Sequence, residues 1–307
     1  MNFIGFDTSN YTTSVAYFDG NSGMNCSKLL PVKQGELGLR QSDAVFAHIK
    51  GLPELSGRLF SHISAESISA VGVSTRPRAV DGSYMPCFMV GYTHAKLLSD
   101  TLHVPLFEFS HQQGHVAASL WSAGHLELMD EPHLAWHLSG GTTELLLVEP
   151  EGKNVRCTKI GGTTDISAGQ LIDRTGKLLE LPFPSGKHLD ALSQTAQGRE
   201  VFKVKCPGME FSLSGVQNKV EQDHREHGNA AETAAYALRC VIHAVITATK
   251  NAKKEYPGLE VVFSGGVASN SLLRELAKPL KPVFALPQYS TDNAMGVAIL
   301  AHRLLEG

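Results

Sequence analysis

The chain has 307 residues and a formal net charge of −3, with 27 lysines and arginines against 30 acidic residues, and it is 42% hydrophobic and 19% charged. That balance excludes disorder as the main state and allows one very large domain or two lobes, each able to bury a core. No global positive field draws in nucleic acid, so any RNA contact has to come from a local patch.

The opening residues, Met1 to Asp7, lack a basic region followed by an apolar stretch, and nowhere do about 18 apolar residues run uninterrupted. The expectation is a cytoplasmic protein with no membrane contact. Cys26, Cys87, Cys157, Cys206 and Cys240 are odd in number, scattered, and never spaced as a thiolate metal pair. Reduced thiols follow.

In chain order, Met1 to Asp7 reads as an apolar strand, Thr8-Ser9-Asn10-Tyr11 as a polar turn and Thr12 to Phe18 as a second strand. The same grammar returns at Leu134 to Leu138, Ser139-Gly140-Gly141-Thr142-Thr143 and Leu145 to Val148. This repetition predicts an internally duplicated, two-lobed chain with one phosphate-sized loop per half, both facing an interlobe cleft. Thr8, Ser9 and Asn10 form that loop in the first lobe. Glu232 to Lys254 carries Leu238, Val241, Ile242, Val245 and Ile246 at helical spacing, a buried amphipathic helix. Val261 to Phe263 is a β-branched, aromatic strand, followed by a glycine turn over Ser264 to Asn270 and a helix over Ser271 to Ala277. Strand, glycine turn, helix lets backbone N–H groups approach an anion closely. A last apolar helix runs from about Asn293 to Leu305.

Within this frame His111-Gln112-Gln113-Gly114-His115 places two imidazoles four residues apart, which on a helix puts both within reach of one metal ion. Fourteen histidines also yield such a pair by chance, His133 and His137 being a second, so the alternative is a helix start with hydrogen-bonded histidines. Asp292, in Ser290-Thr291-Asp292-Asn293, reads on its own as an N-cap or first-turn carboxylate of the last helix. The Ser139 to Thr143 loop fits a ligand loop or a plain hairpin turn. Asp173, in the segment Gly169 to Leu179, suits a helix entrance that accepts hydrogen bonds from ribose hydroxyls, or else a surface helix position.

Taken in order, Gly5-Phe6-Asp7-Thr8-Ser9, His111 to His115, Ser139-Gly140-Gly141-Thr142-Thr143-Glu144-Leu145, Gly169 to Leu179, Phe211-Ser212-Leu213-Ser214-Gly215, Gly265 to Asn270 and Thr291-Asp292-Asn293 resemble the threonylcarbamoyl transferase family. Its members, formerly described as sialoglycoprotein endopeptidases, make threonylcarbamoyladenosine in tRNA. Seven matches in the family's order cover nearly the whole chain. The resemblance implies an α/β, two-lobed actin-like ATPase (ASKHA) fold with duplicated RNase H-like mixed sheets. We place the lobes at residues 1–108 and 109–307, the second carrying the metal and nucleotide motifs and the last helix able to pack back on the first.

The resemblance further implies one divalent metal ion, iron or zinc, held by His111, His115 and Asp292. Where some relatives offer a tyrosine oxygen this chain has His137, which suggests a fourth ligand. Leu138, Ser139, Gly140, Gly141, Thr142, Asp173, Gly186, Asp190, Gly265, Gly266 and Asn270 would surround an adenine nucleotide, ATP, ADP or threonylcarbamoyl-AMP. The implied partners are tRNA, helper proteins of the pathway and a heterodimer with an inactive paralogue. No catalytic residue separates from the metal ligands. Gln113 stands where relatives have glutamate, Thr142 where they have histidine or asparagine, Arg76-Pro77-Arg78 where they have Gly-Pro-Gly, and Gln217 where they have lysine. These departures touch the tRNA surface and the acceptor, and open a second reading: a regulatory nucleotide-binding paralogue, or a carbamoyltransferase with another acceptor. A zinc peptidase is discounted, because neither Gln112 nor Gln113 can act as general base. Arg76, Arg78, Lys203 and Lys205 are the candidate basic strip for tRNA phosphates.

Overall fold

The computed structural model describes residues 1–9, 11–31, 39–197 and 202–306, so Asn10 of the expected first-lobe loop lies outside the described residues. The chain divides into two compact units, one made of Met1–Glu131, Glu149–Cys157 and Asp292–Gly307, the other of Pro132–Val148 and Thr158–Thr291. Residues 109–131, 149–157 and 292–307, placed with the second lobe on sequence grounds, group with the first unit.

In the first unit a hairpin of β1 (Asn2–Ser9) and β2 (Thr12–Phe18) continues to β3 (Gly23–Leu29), and β4 (Ile68–Arg76) and β5 (Leu106–Ser110) complete a sheet ordered β3-β2-β1-β4-β5. β1 pairs antiparallel with β2, from Phe3 opposite Phe18 to Ser9 opposite Thr12, and parallel with β4. The central strand β1 is buried on both faces, which is why it reads as a continuous apolar run. Helices α1 (Gln41–Phe60) and α2 (Phe88–Leu102) cover one face: Leu52, Leu55 and Leu59 recur at helical spacing and pack with Ile4, Phe6, Val15, Val71 and Val90. Burying a side chain of this size contributes about 1.5–3 kcal/mol.

Glycine shapes the packing around α3 (His111–Ala123) and α9 (Met295–Glu306). A Cβ on Gly5 would collide with the Ala294 carbonyl, and one on Gly72 with the Val297 carbonyl, so the sheet accepts the backbone of α9 directly. Gly296 likewise presses on the Gly114 backbone of α3. α9 is therefore seated against both β1 and the histidine helix, and the residues just before it are brought to the start of α3.

In the second unit the sheet is ordered β11-β10-β6-β7-β8-β9, built from β6 (His133–Leu138), β7 (Thr143–Glu151), β8 (Asn154–Thr163), β9 (Glu210–Phe211), β10 (Val261–Ser264) and β11 (Val283–Phe284). The run β8-β7-β6-β10-β11 repeats the order of the first sheet, as the recurring hairpin grammar predicts. β6 and β7 are antiparallel, whereas β10 runs parallel to β6, pairing Ser264 with His137. Helices α4 (Ala168–Leu178), α5 (Gly186–Ser193), α6 (Ser214–His227), α7 (Ala230–Glu255) and α8 (Ser271–Ala277) join this sheet. Leu238, Val241, Ile242 and Val245 of α7 are buried as their periodicity requires, and Trp136 Nε1 donates to Thr249 Oγ1 at 2.8 Å, pinning α7 to β6. No described helix is long and apolar enough to cross a membrane.

Candidate functional site

Ser110 ends β5 and caps α3: its hydroxyl accepts the Gln113 N–H at 3.2 Å, while Gln113 Oε1 accepts the Ser110 N–H at 2.9 Å. This capping box fixes the first turn and so the direction of His111. Gln113 also donates from Nε2 to the Val155 carbonyl at 2.8 Å. The residue that replaces a glutamate is therefore a helix cap and a tie to β8.

One turn apart on α3, the His111 and His115 Nε2 atoms approach to 2.9 Å, with Asp292 Oδ1 3.4 Å from the first and 3.2 Å from the second. The three donor atoms lie within 4.8 Å of one another. Asp292 is not the cap of α9. Asn293 Oδ1 accepts the Met295 N–H at 3.1 Å where α9 begins, and the Asp292 carboxylate faces the imidazoles.

Behind His111 stands Asp7, 1% exposed at the inner part of β1. Its Oδ2 accepts from His111 Nδ1 at 2.7 Å and from the Ser74 hydroxyl of β4, and its Oδ1 accepts the Ser9 N–H at 3.0 Å. Burial opposes charge on His111, but the Asp7 and Asp292 carboxylates overcome it and hold its pKa up to about 10. Burial and the His111 charge push His115 down. Burial also works against the Asp292 carboxylate, yet hydrogen bonds and charge from both histidines hold it well below the ordinary value.

Two imidazoles, one carboxylate and a second carboxylate orienting the first imidazole match the donor set of a borderline divalent ion. Such a set leaves coordination positions open. The buried Asp7 and half-buried Asp292 carboxylates, set against one histidine charge, also favour a cation beside the imidazoles. The residues present therefore fit the metal that the sequence implies.

The buried Thr8 hydroxyl donates to the Cys87 carbonyl and accepts the Gly91 N–H, both at 2.9 Å, fastening β1 to α2, and Ser9 is also buried. Thr13 Oγ1 meets His48 Nδ1 at 2.7 Å beneath the same hairpin.

The residues expected around a nucleotide all fall in the second unit. Ser139 and Thr142 close a tight turn, the Ser139 hydroxyl accepting the Thr142 N–H at 3.1 Å. That turn is braced by Ser167 Oγ, which donates to the Gly140 carbonyl at 2.6 Å, and by Gly169, where a Cβ would strike Gly140 and Ser139. Gly265 has a φ of 91° and lies against the Leu138 backbone, which packs the β6 and β10 turns together at the ends of neighbouring parallel strands. Gly140, Gly141 and Gly266 are exposed, with open space where a Cβ would stand. Asn270 caps α8 through the Leu273 N–H at 2.9 Å, and Asp190 of α5 reaches the same helix, accepting from Ser271 N at 2.9 Å and Oγ at 2.8 Å.

Asp173 lies inside α4 rather than at a helix entrance, and its Oδ1 accepts the Ser185 N–H at 2.8 Å beside Gly186. Burial raises its pKa. Leu138 is fully buried, its backbone paired with Thr143 and packed against Gly265. His137, on β6 of this second unit, sits opposite Glu144 and Ser264.

Asp7 has no functional role on sequence grounds; a carboxylate closing an otherwise apolar strand is the signal that marks it. Asp165 also escapes notice, though it accepts from Ser212, from Ser214 and from the Leu213 N–H, and so caps α6 from outside the helix.

Two duplicated mixed sheets with these turns give the chain the actin-like ATPase fold. Full-length HypF in its phosphate- and nucleotide-bound form superposes with a TM-score of 0.61 at 15% identity, over 98% of this chain and 46% of that one. The ROK hexokinase of Thermus thermophilus gives 0.54 at 15% identity, over 100% and 99%. At those identities the likeness establishes the fold alone. The sequence carries the family: residues 38–299 match the model of TsaD, tRNA N6-adenosine threonylcarbamoyltransferase. The protein of that description from Carboxydothermus hydrogenoformans is 31% identical over 85% of this chain and 78% of its own length. The chain belongs to the TsaD family, whose members are acyltransferases.

Proposed function

We propose that the protein transfers the threonylcarbamoyl group of threonylcarbamoyl-AMP to the exocyclic amine of the adenosine next to the anticodon in tRNA, at a centre that holds one divalent ion, iron or zinc. The observation that carries this reading is the convergence of His111, His115 and Asp292 within 4.8 Å, backed by Asp7, in a chain of this family. The new bond joins the adenosine nitrogen to the carbamoyl carbon, the bond from that carbon to the phosphate oxygen breaks, and AMP leaves with the electron pair while the amine loses a proton.

His111, His115 and Asp292 would hold the ion, which, when bound, acts as a Lewis acid and template for the donor's oxygens. Asp7 fixes the ring of His111 through its Nδ1–H, so that Nε2 is the atom presented. In the second unit the exposed backbone of Gly140, Gly141 and Gly266 offers N–H donors to the departing phosphate without adding a like charge. Asp173, whose Oδ1 holds Ser185, keeps Oδ2 for a ribose hydroxyl. Helper proteins of the pathway and a paralogous partner complete the cytoplasmic assembly.

Purified protein supplied with threonylcarbamoyl-AMP, unmodified tRNA and helper proteins should yield threonylcarbamoyladenosine at that one position. Nucleotide binding without transfer, under the same conditions, contradicts the proposal and favours a regulatory paralogue.

A further inference from the structure

Beside α7, the Lys203 and Lys205 pair singled out in the sequence joins further lysines of that helix. The segment from Phe202 to Gly208 is tied along this helix at both ends: the Phe202 carbonyl accepts from Cys240 Sγ at 3.5 Å, and the Gly208 carbonyl accepts from Asn251 Nδ2 at 2.6 Å. Cys240 and Asn251 are separated by about 16 Å of helix at 1.5 Å per residue. Lys203 and Lys205 stand exposed on the tied segment, and Lys250 and Lys254 stand exposed one turn apart on the helix.

His243 lies on the same face of α7. Its pKa is lowered by burial and by the charges of Lys203 and Lys250. Among the described residues no carboxylate pairs with Lys203, Lys205, Lys250 or Lys254, whereas Lys28, Lys96, Lys159 and Lys278 each stand beside one. At the head of the strip the Phe202 ring is 36% exposed, with Lys219 Nζ 4.5 Å from its centroid.

We infer that Lys203, Lys205, Lys250 and Lys254 form a phosphate-contact strip for the tRNA substrate, sited wholly on the second unit. The inference rests on the tRNA reading above. A chain of net charge −3 that leaves four ammonium groups unpaired on one tied segment and the helix beside it concentrates positive potential there. A polyphosphate backbone is the partner that such a row fits, because each neutralised phosphate releases condensed counterions. Arg76 and Arg78, the other half of the strip expected from the sequence, belong to the first unit.

The test is binding of an unmodified tRNA transcript to the full chain as a function of salt, for the wild type and for the Lys203→Ala/Lys205→Ala/Lys250→Ala/Lys254→Ala variant. The slope of log affinity against log salt should shrink by about two or more, since each phosphate contact contributes roughly 0.7–0.9. Affinity near physiological salt should fall at least tenfold, with thermal midpoint and donor-nucleotide affinity unchanged. An unchanged slope, the result expected if the strip instead serves an acidic protein, overturns the inference while leaving the transferase reading intact. A wild-type chain that neither binds nor modifies tRNA overturns both.

Discussion

The Asp7 carboxylate accepts the Nδ1–H of His111 at 2.7 Å across 104 residues of sequence, joining the end of the first strand to the first turn of the histidine helix. Through that bond the β1–β2 hairpin becomes part of the proposed metal centre without supplying a ligand. Ser74 and the Ser9 N–H occupy the other acceptor positions of the carboxylate, so its orientation is fixed from three sides.

Asp7→Asn should therefore keep the fold and weaken the metal. Orienting partners of this kind contribute about 10–100-fold in metal affinity, and a loss in that range is expected. Competition against a chromophoric chelator measures it. An affinity within twofold of wild type would mean that His111 is held by its helix alone.

His137→Ala tests the fourth ligand. If this imidazole coordinates the ion, metal affinity falls while thermal stability is retained. Unchanged occupancy and affinity would reduce the donor set to His111, His115 and Asp292.

Gly296→Ala probes how α9 is seated. The added methyl meets the Gly114 backbone, which has no flexible end to give way. A cost of about 1–3 kcal/mol is expected from overpacking, together with weaker metal binding, because Asp292 precedes this helix. Chemical denaturation and metal titration of the same sample report both. Unaltered stability would show that α9 can slide.

Asp165→Ala should cost about 1 kcal/mol, as for the loss of a helix cap. Burial works against its charge, but hydrogen bonds from Ser212, Ser214 and the Leu213 and Ser214 N–H groups lower its folded pKa below the ordinary value. A carboxylate lowered in the fold contributes stability above its unfolded pKa and loses that contribution as the pH falls through the folded one. The wild-type advantage over the variant should thus be full at pH 7 and diminish below about pH 4. An advantage independent of pH would assign the effect to packing.

Much of the fold was legible because it is written in periodicity. Both hairpins, the glycine turn after β10 and the long helix α7 follow from alternation, glycine and helical spacing. The histidine pair is visible for the same reason: positions four apart share a helix face whatever the tertiary structure. What spacing does not encode is long-range company. Asp292 reads as a helix cap until α9 is laid on Gly5 and Gly114, and Asp7 reads as the end of a strand until His111 is placed beside it. Gln113 looked like a lost general base, yet its side chain closes a capping box and ties α3 to β8. Asp173, expected at a helix entrance, lies within α4, because the capping box of Ser167 and Gln170 starts that helix earlier.

The central claim is most directly tested by the metal content of the purified wild type beside His115→Ala and Asp292→Ala, read by elemental analysis together with transfer activity. One equivalent of iron or zinc in the wild type, less than a tenth of that in each variant, and transfer lost with the metal is the predicted result. Variants that retain a full equivalent, or a metal-free wild type that transfers at the full rate, would contradict the account.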